Sequence, residues 1–437
     1  MSKPLSPLAE ALNDALSEGG SPLLSLLSAR GRRMYFPAAG ILGQSKEALK
    51  SEVNATIGMA FEEDGSPLCL ACMEEVVRLP PTAFLYAPSF GLAPLRDAWR
   101  AMLAEKNPSL RSKAFSLPVV TSALTHGLSV AGQLFVDEGG EVILPDLYWD
   151  NYELIFEEGF GAAFRTFPMF TGAGAFNAEG MARLLMGGGE KKVVILNFPN
   201  NPTGYTATHA DEEAIYAALL RAAEAGKRIV VILDDAYFGL VYEPGVSEES
   251  MFARLMELHP NVLTVKLDGP TKEDYVWGVR VGFMTFGAKG ATAAQYAALE
   301  AKAAGTVRGT ISNVSSIGQH LLLTGYQAEG YARQKEEKKA TLKRRYDRIK
   351  AILAEHPEYA RSFAAMPYNS GYFMCVRPAG VAAEDVRKSL LANHQIGVIA
   401  LSGLIRIAFS TVAHDKLGGL FARLHDTVQA LQAAPTD

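Results

Sequence analysis

The 437-residue sequence predicts an α/β protein: a largely parallel sheet covered on both faces by helices, with a second, smaller α+β part towards the C-terminus. Three observations carry that prediction. From Val119 to Phe283, short β-branched runs alternate with helical ones, as in a sheet built from crossover units. Polar and charged residues gather where those apolar runs stop, the place where open parallel sheets bind ligands. Beyond about Gly325 the pattern changes to a long charged helix, Tyr331 to Ala354, and then to an α+β segment closed by a helix from His414 to Leu431.

Each element has its own justification. Residues 1 to about 50 read as polar-interrupted helical sequence with breaks at Gly19-Gly20 and Gly40. Glu62 to Pro67 is a loop, and Leu68 to Val77 reads as a helix. Tyr86 to Leu95 is turn-rich and leads into a helix from about Leu92 to Ala104. The alternating region then gives Val119–Thr121 and a helix from Leu124 to Phe135, Val142–Leu144 and a helix from Asn151 to Glu158. It continues with Val193–Leu196, a helix from Glu212 to Ala225, and Ile229–Leu233. Leu263 to Leu267 alternates as a strand and delivers Lys272 into a loop. Val279 to Phe283 reads as the next strand, which puts Lys272 and Arg280 on adjacent pieces of one sheet. No internal repeat, low-complexity tract or flexible linker stands out.

Composition bounds the function. The chain is 49% hydrophobic and 20% charged, which suits a large buried core, and its length corresponds to about three domains. A net charge of −5, with no long run of Lys and Arg, argues against a nucleic-acid surface and against polybasic membrane attachment. The longest apolar stretch, Val119 to Val136, is interrupted by Thr, Ser, His, Gly and Gln and makes a poor membrane span. Acidic residues come early, with no basic region ahead of an apolar core, so no secretory signal is expected. A small-molecule partner is the expectation. Cys69 and Cys72 have the spacing of half a zinc site, but no second pair of Cys or His at such spacing follows, so no metal is expected. With Cys375 in an apolar run, the cysteines fit reduced thiols in a cytoplasm.

Four strand ends and one loop hold the candidate chemistry. Asp234 and Tyr237 follow Leu233; alone, an Asp there caps a helix or forms a turn. Asn201 lies in Asn197-Phe-Pro-Asn-Asn-Pro-Thr-Gly204, a rigid way of aiming an amide, though any tight turn looks similar. Thr121 to Gly127 opens a helix whose free N–H groups make an anion site, and many Ser/Thr-capped helices share that pattern. Trp149 and Tyr152 follow Pro145, where aromatics more often belong to a core. Lys272 and Arg280 taken alone read as surface cations. Together these groups supply an amine, a carboxylate, an anion site with a guanidinium, an amide, a phenol and an aromatic plate, the equipment for holding pyridoxal phosphate.

The chain here resembles the fold-type I pyridoxal-phosphate aminotransferases of class I, and among them the aspartate and aromatic aminotransferase group. The resemblance runs from Asn54 to the C-terminal helix. Asn201-Pro-Thr-Gly204 is similar to the family's NPTG, whose Asn bonds the coenzyme phenolate oxygen. Asp234-Asp-Ala-Tyr237 is similar to its D-x-x-Y, which implies Asp234 on the ring nitrogen and Tyr237 on the same oxygen as Asn201. Lys272 matches the Lys that links to the coenzyme aldehyde, and Arg280 the phosphate Arg at the family's spacing. Leu144 to Phe156 resembles the segment carrying the stacking Trp, here Trp149, with Tyr152 behind the Asp. Tyr86 falls on the Tyr that crosses a dimer interface to the neighbouring phosphate, and Gly58 on the Gly beside the substrate carboxylate. Arg406 matches the Arg that grips the α-carboxylate, where a guanidinium fork gives bidentate contacts that Lys does not. Arg308 is similar to the Arg of the other subunit that pairs with the distal carboxylate of aspartate or glutamate.

The resemblance implies a large domain, 64–330, with a mostly parallel seven-stranded sheet between helices, and a small α+β domain from 1–63 and 331–437. It implies a homodimer with shared sites and ping-pong transfer of an amino group between an L-amino acid and a 2-oxo acid, Lys272 moving the proton as base and then acid. Three departures stand out: Gly269 where the family usually has a phosphate-binding Ser, Glu273-Asp274 where small, neutral or amide residues are common, and Ala123-Leu124-Thr125 at the phosphate turn. At Gly269 the resemblance leaves two alternatives: one phosphate bond is absent, or Thr271 or Thr125 supplies it. The same fold hosts lyases and decarboxylases, and regulators that sense ligands with such a domain add a DNA-binding region; no basic recognition helix precedes Asn54.

Overall fold

The computed structural model describes residues 4–17, 24, 27, 29–35, 40–75 and 79–433. Helices Pro7–Ser17 and Ile41–Glu47 precede strand β1 (Val53–Asn54). Helix Ala93–Lys106 leads to β2 (Val119–Thr121), helix Ala123–Phe135 and β3 (Glu141–Pro145). A helical stretch, of which Glu153–Glu158 is π-type, leads to β4 (Ala163–Phe167), and helix Ala178–Met186 leads to β5 (Lys191–Asn197). Helix His209–Glu224 starts at a reciprocal Thr208–Asp211 capping box and ends before β6 (Arg228–Asp234). Strand β7 (Val262–Asp268) and the one-turn helix Pro270–Glu273 precede β8 (Gly282–Ala288).

These strands form a seven-stranded sheet in the order β2-β8-β7-β6-β5-β3-β4, parallel except for β8, which runs antiparallel to both β7 and β2. Alternate side chains serve opposite faces: Val194, Leu196, Val231 and Leu233 enter one core, Val193, Ile195, Val230 and Ile232 the other. Burial on both faces explains why these strands read as continuous apolar runs. The register sets Asn197 opposite Asp234 and Asp234 opposite Leu267, so the carboxyl ends of β5, β6 and β7 line up.

Helices Ala293–Thr310 and Ser316–Tyr326 lead to the long helix Tyr331–Glu355, whose Leu342, Tyr346, Ile349 and Ile352 are buried. A four-stranded antiparallel sheet follows, made of β9 (Phe363–Ala365), β10 (Phe373–Pro378), β12 (Ile399–Leu401) and β13 (Leu404–Ala408) in the order β12-β13-β10-β9. Helix Ala383–His394 and strand β11 (Ile396–Gly397) lie between β10 and β12, and β11 pairs in parallel with β1, tying the two ends of the chain together. Helix Lys416–Ala433 buries Leu417, Leu420, Phe421, Leu424 and Val428, an i, i+3, i+4, i+7, i+11 stripe. At ~1.5–3 kcal/mol for each buried side chain, that stripe is what holds the terminal helix in place. No described helix is long and apolar enough to cross a membrane.

Several expectations are corrected. Arg280 stands in the turn before β8, with φ 54, rather than within a strand. The helix expected over Leu68 to Val77 is a single turn, Ala71–Glu74, with 76–78 outside the described residues. Strand β4 was not anticipated, because only Phe167 of its five residues is fully buried and the apolar pattern is weak. The Gly19-Gly20 break lies outside the described residues.

Candidate active site

The carboxyl ends of the central strands meet the C-terminal sheet around a cavity of about 280 Å³. Lys272, Asp234, Tyr237, Asn201, Trp149, Arg280, Arg406, Gly58, Ala123, Leu124 and Thr125 all line it, although they span nearly 350 positions of sequence. Parallel crossovers account for the residues that follow β2, β3, β5, β6 and β7, since each returns the chain to the same end of the sheet, while Gly58 and Arg406 enter from outside that sheet.

Lys272 rises from the turn Pro270–Glu273, and its ammonium nitrogen donates to the Gly58 carbonyl over 2.5 Å. Burial, then Arg280 and Arg406, push its pKa down to about 7, while Asp234 opposes them. A Cβ on Gly58 would lie 3.4 Å from that nitrogen and 3.4 Å from the Phe373 ring, so the missing side chain keeps the space above the amine open.

Asp234 ends β6 and is buried. Burial raises its pKa to about 6, and the Tyr152 hydroxyl, donating to Oδ2 over 2.5 Å, holds it down. Asn197 braces the same edge: its side-chain N–H donates to the Asp234 carbonyl over 2.7 Å and its Oδ1 accepts from the Asn201 amide over 2.7 Å. Tyr237 is buried with its ring 5.3 Å from the Lys272 ammonium, and burial pushes its phenol well up.

At the other end, helix Ala123–Phe135 points its first turn at the cavity beside Arg280 and Thr271. Free N–H groups, a guanidinium and a hydroxyl suit an anion. Gly282 permits this approach, because a Cβ there would stand 2.8 Å from the Ala123 carbonyl carbon. Gly269 is likewise crowded: a Cβ would meet Gly282 Cα at 3.0 Å and the Val281 carbonyl at 3.2 Å, so a Ser does not fit without moving β8. The buried Thr271 hydroxyl has no hydrogen-bond partner among the described residues, and Thr271 lines the cavity.

Arg406, in the middle of β13, is buried, donates to Asn201 Oδ1 over 2.9 Å and to the Thr56 carbonyl over 2.8 Å, and lies over the Phe373 ring. Its Nε is buried without a partner among the described residues. Of the residues singled out in the sequence, Tyr152 stands behind Asp234, and two others lie away from the cavity. Tyr86 is 92% exposed, and Arg308, at the end of helix Ala293–Thr310, is exposed and donates to Ser312 Oγ over 2.7 Å. Ile41 and Phe373 line the cavity without having been singled out. Phe373 sits in a strand of buried residues and looks like core; Ile41 stands far upstream in sequence with no motif.

The family model for aminotransferase class I and II matches residues 62–424. The chain belongs to that family, and the protein is an aminotransferase, a transferase enzyme. Aspartate aminotransferase of Bacillus subtilis is 24% identical over 344 residues, 75% of this chain and 79% of that protein. An aminotransferase structure from Anaerococcus prevotii superposes with a TM-score of 0.82 at 24% identity, covering 92% of this chain and 99% of the other. The structure of aspartate aminotransferase from Thermus thermophilus with maleate gives 0.73 at 20% identity, covering 92% and 99%. These two likenesses establish the shared fold, that of fold-type I.

Proposed function

We propose that this aminotransferase uses pyridoxal 5'-phosphate to move an amino group between an L-amino acid (aspartate, glutamate or an aromatic one) and a 2-oxo acid such as 2-oxoglutarate, in ping-pong fashion. The observation that carries the reading is the single cavity shared by Lys272, Asp234, Asn201, Tyr237, Arg280 and Arg406. The unpartnered Thr271 hydroxyl beside Arg280 and a helix N-terminus fits the phosphate, and the buried Asp234 carboxylate fits a ring nitrogen that carries a proton. Bound there, the coenzyme supplies an aldehyde that reacts with amines and a ring that accepts the electron pair released at the substrate Cα.

The protein's residues do the rest. Lys272, with a pKa near 7, is suited to take the Cα proton and return it at neutral pH. Asp234, oriented by Tyr152, holds positive charge on the ring nitrogen. Asn201 and Tyr237 supply an amide and a phenol to the ring oxygen, Trp149 covers the ring, and Gly58 leaves room beside the amine. Arg406, fixed by Asn201 and Thr56, grips the α-carboxylate.

We further propose a homodimer with shared sites, in which Tyr86 reaches the partner's phosphate and Arg308 the partner's substrate. Phe84, Leu85 and Tyr86 are 73%, 65% and 92% exposed in succession, an apolar surface that suits a second copy. The division into a large domain (64–330) and a small one (1–63 with 331–437) is supported by the β1–β11 pairing. Three free thiols support a cytoplasmic setting. The dicarboxylate preference draws on the aspartate aminotransferases among the relatives and on the maleate in the Thermus structure.

The test is a panel of half-reactions followed by coenzyme absorbance. Candidate amino acids should convert the bound coenzyme to its amine form with release of the matching 2-oxo acid, and 2-oxoglutarate should restore it. Release of carbon dioxide or an elimination product with no 2-oxo acid would point to lyase chemistry instead.

A further inference from the structure

The two acidic residues after Lys272 are buried, and both are held from other parts of the chain. Lys335, in the second turn of the long helix Tyr331–Glu355, lies 2.6 Å from Glu273 Oε2 and 2.9 Å from Asp274 Oδ1, so one ammonium bridges both carboxylates. Lys106, at the end of helix Ala93–Lys106, takes the remaining oxygen of Glu273 at 2.8 Å. The Tyr331 and Tyr326 hydroxyls donate to Asp274 over 2.8 and 3.3 Å, and the Tyr372 hydroxyl donates to the Lys272 carbonyl over 2.8 Å. Two carboxylates thus face two ammonium groups, and all but one of the partners come from beyond residue 325.

We propose that Lys335 is a positioning residue for transamination: by gripping Glu273 and Asp274 together, it fixes the turn Pro270–Glu273 and so sets where the Lys272 amine lies. The inference rests on reading Lys272 as the coenzyme-bearing amine. A lysine side chain has four rotatable bonds, so the place of its nitrogen depends on how firmly its backbone is held. The turn has one helical turn of its own and little intrinsic stability. Burial disfavours the Lys335 ammonium, but Asp274 and Glu273 outweigh it and push its pKa up, so the ammonium keeps its charge; burial pushes the Asp274 carboxyl up, and Lys335 opposes that push. Well-packed apolar side chains commonly stabilise a buried site as well as ion pairs do. What a doubly bridged ammonium adds is fixed geometry, and misplacing a reacting group by about 1 Å costs roughly a hundredfold in rate.

The test uses the full-length Lys335→Met and Lys335→Arg variants, with Tyr331→Phe as a milder third. Amide hydrogen exchange across residues 270–276 is read in the coenzyme-free protein, visible circular dichroism in the loaded one, and kcat and KM separately. Lys335→Met should speed exchange in that turn by about tenfold or more while β5 and β6 keep their protection, and should lower kcat by roughly ten- to a hundredfold with KM within about threefold. The dichroism of the bound coenzyme should change. Lys335→Arg keeps the charge and should recover most of kcat. If Lys335→Met does not fold, Tyr331→Phe decides, with faster local exchange and a loss in kcat of roughly threefold expected. Unchanged exchange in the turn together with unchanged kcat in a folded variant would overturn the proposal. So would a loss that follows the melting temperature alone and is not recovered by Arg. The exchange result is independent of coenzyme chemistry, whereas failure of borohydride to fix coenzyme at Lys272 would count against the reading of the site itself.

Discussion

Arg406 and Asn201 meet where the two sheets face each other, the guanidinium Nη1 donating to the amide Oδ1 over 2.9 Å. A strand of the C-terminal sheet thereby fixes its cation against the loop that ends β5. Removing the amide leaves a buried N–H without its partner, at a cost of about 1–3 kcal/mol. Asn201→Ala should therefore raise KM roughly tenfold for amino acids and 2-oxo acids alike. Arg406→Lys keeps the charge but loses the fork, and kcat/KM should fall by about two to three orders of magnitude. Steady-state kinetics with both substrate classes checks this, and an unchanged KM would show that Arg406 does not hold the carboxylate.

Tyr152 donates to Asp234 and opposes the upward push of burial on that carboxylate. Tyr152→Phe should carry the pKa of Asp234 above its value of about 6, by roughly one to two units if the bond contributes about 1.5–3 kcal/mol. A raised carboxyl pKa means that stability from this group is fully present below the unfolded value of 3.8 and lost as pH climbs through the folded value; the variant extends that window upward. In the pH–rate profile the acidic limb should move to higher pH, with activity largely recovered above it. A limb that stays in place would remove Asp234 from that role.

The Lys272 amine should react near neutral pH. With a folded pKa of about 7 against 10.5 in the unfolded chain, its contribution to stability is full above 10.5 and lost as pH falls through 7. In the coenzyme-free protein, acylation of Lys272 read by mass spectrometry should level off above about pH 8, whereas exposed lysines keep accelerating towards pH 10. Borohydride should fix the coenzyme at Lys272, and Lys272→Ala should retain some coenzyme without turnover. A reduced adduct on another lysine would contradict the assignment.

Thr271 and Gly269 make predictions that differ in their effect on folding. Thr271→Val keeps the shape and removes the unpartnered hydroxyl, so coenzyme affinity should fall by about tenfold, while Thr271→Ser should restore it. Gly269→Ser adds a hydroxyl but places its Cβ 3.0 Å from Gly282 Cα, so it should weaken folding and coenzyme retention together. Equilibrium dialysis and thermal melting separate the two effects. Tighter coenzyme binding by Gly269→Ser would refute this account.

The sheet was legible because β5, β6 and β7 are buried on both faces and leave unbroken apolar runs. The residues at their ends were legible because polar side chains stopping such runs need a reason. Strand β4 escaped notice because a half-exposed edge has no such run. Val279 and Val281 flank Arg280 and make it read as strand; the turn shows only in the backbone, as the Val279 N–H bond to the Val276 carbonyl and the positive φ of Arg280. The acidic pair after Lys272 looked out of place in sequence, and its reason lies some 60 positions away at Lys335. No local pattern carries a contact of that range.

In the proposed shared-site dimer, substrate choice would turn on Arg308, which does not line the cavity of its own chain. Its guanidinium is exposed and bonded to Ser312, with no carboxylate paired to it among the described residues. In a shared-site dimer it would instead meet the distal carboxylate of a substrate held by the partner's Arg406. A buried carboxylate deprived of its cation loses about 3–5 kcal/mol, so Arg308→Ala should lower kcat/KM for aspartate or glutamate by roughly two to four orders of magnitude. Aromatic and neutral amino acids need no second cation and should change far less. Gly309 beside it leaves the end of the helix pliable, so the side chain has a way to move aside for them. Kinetics across both substrate classes decides. Equal losses for the two classes, or none for the dicarboxylates, would show that Arg308 does not select the substrate.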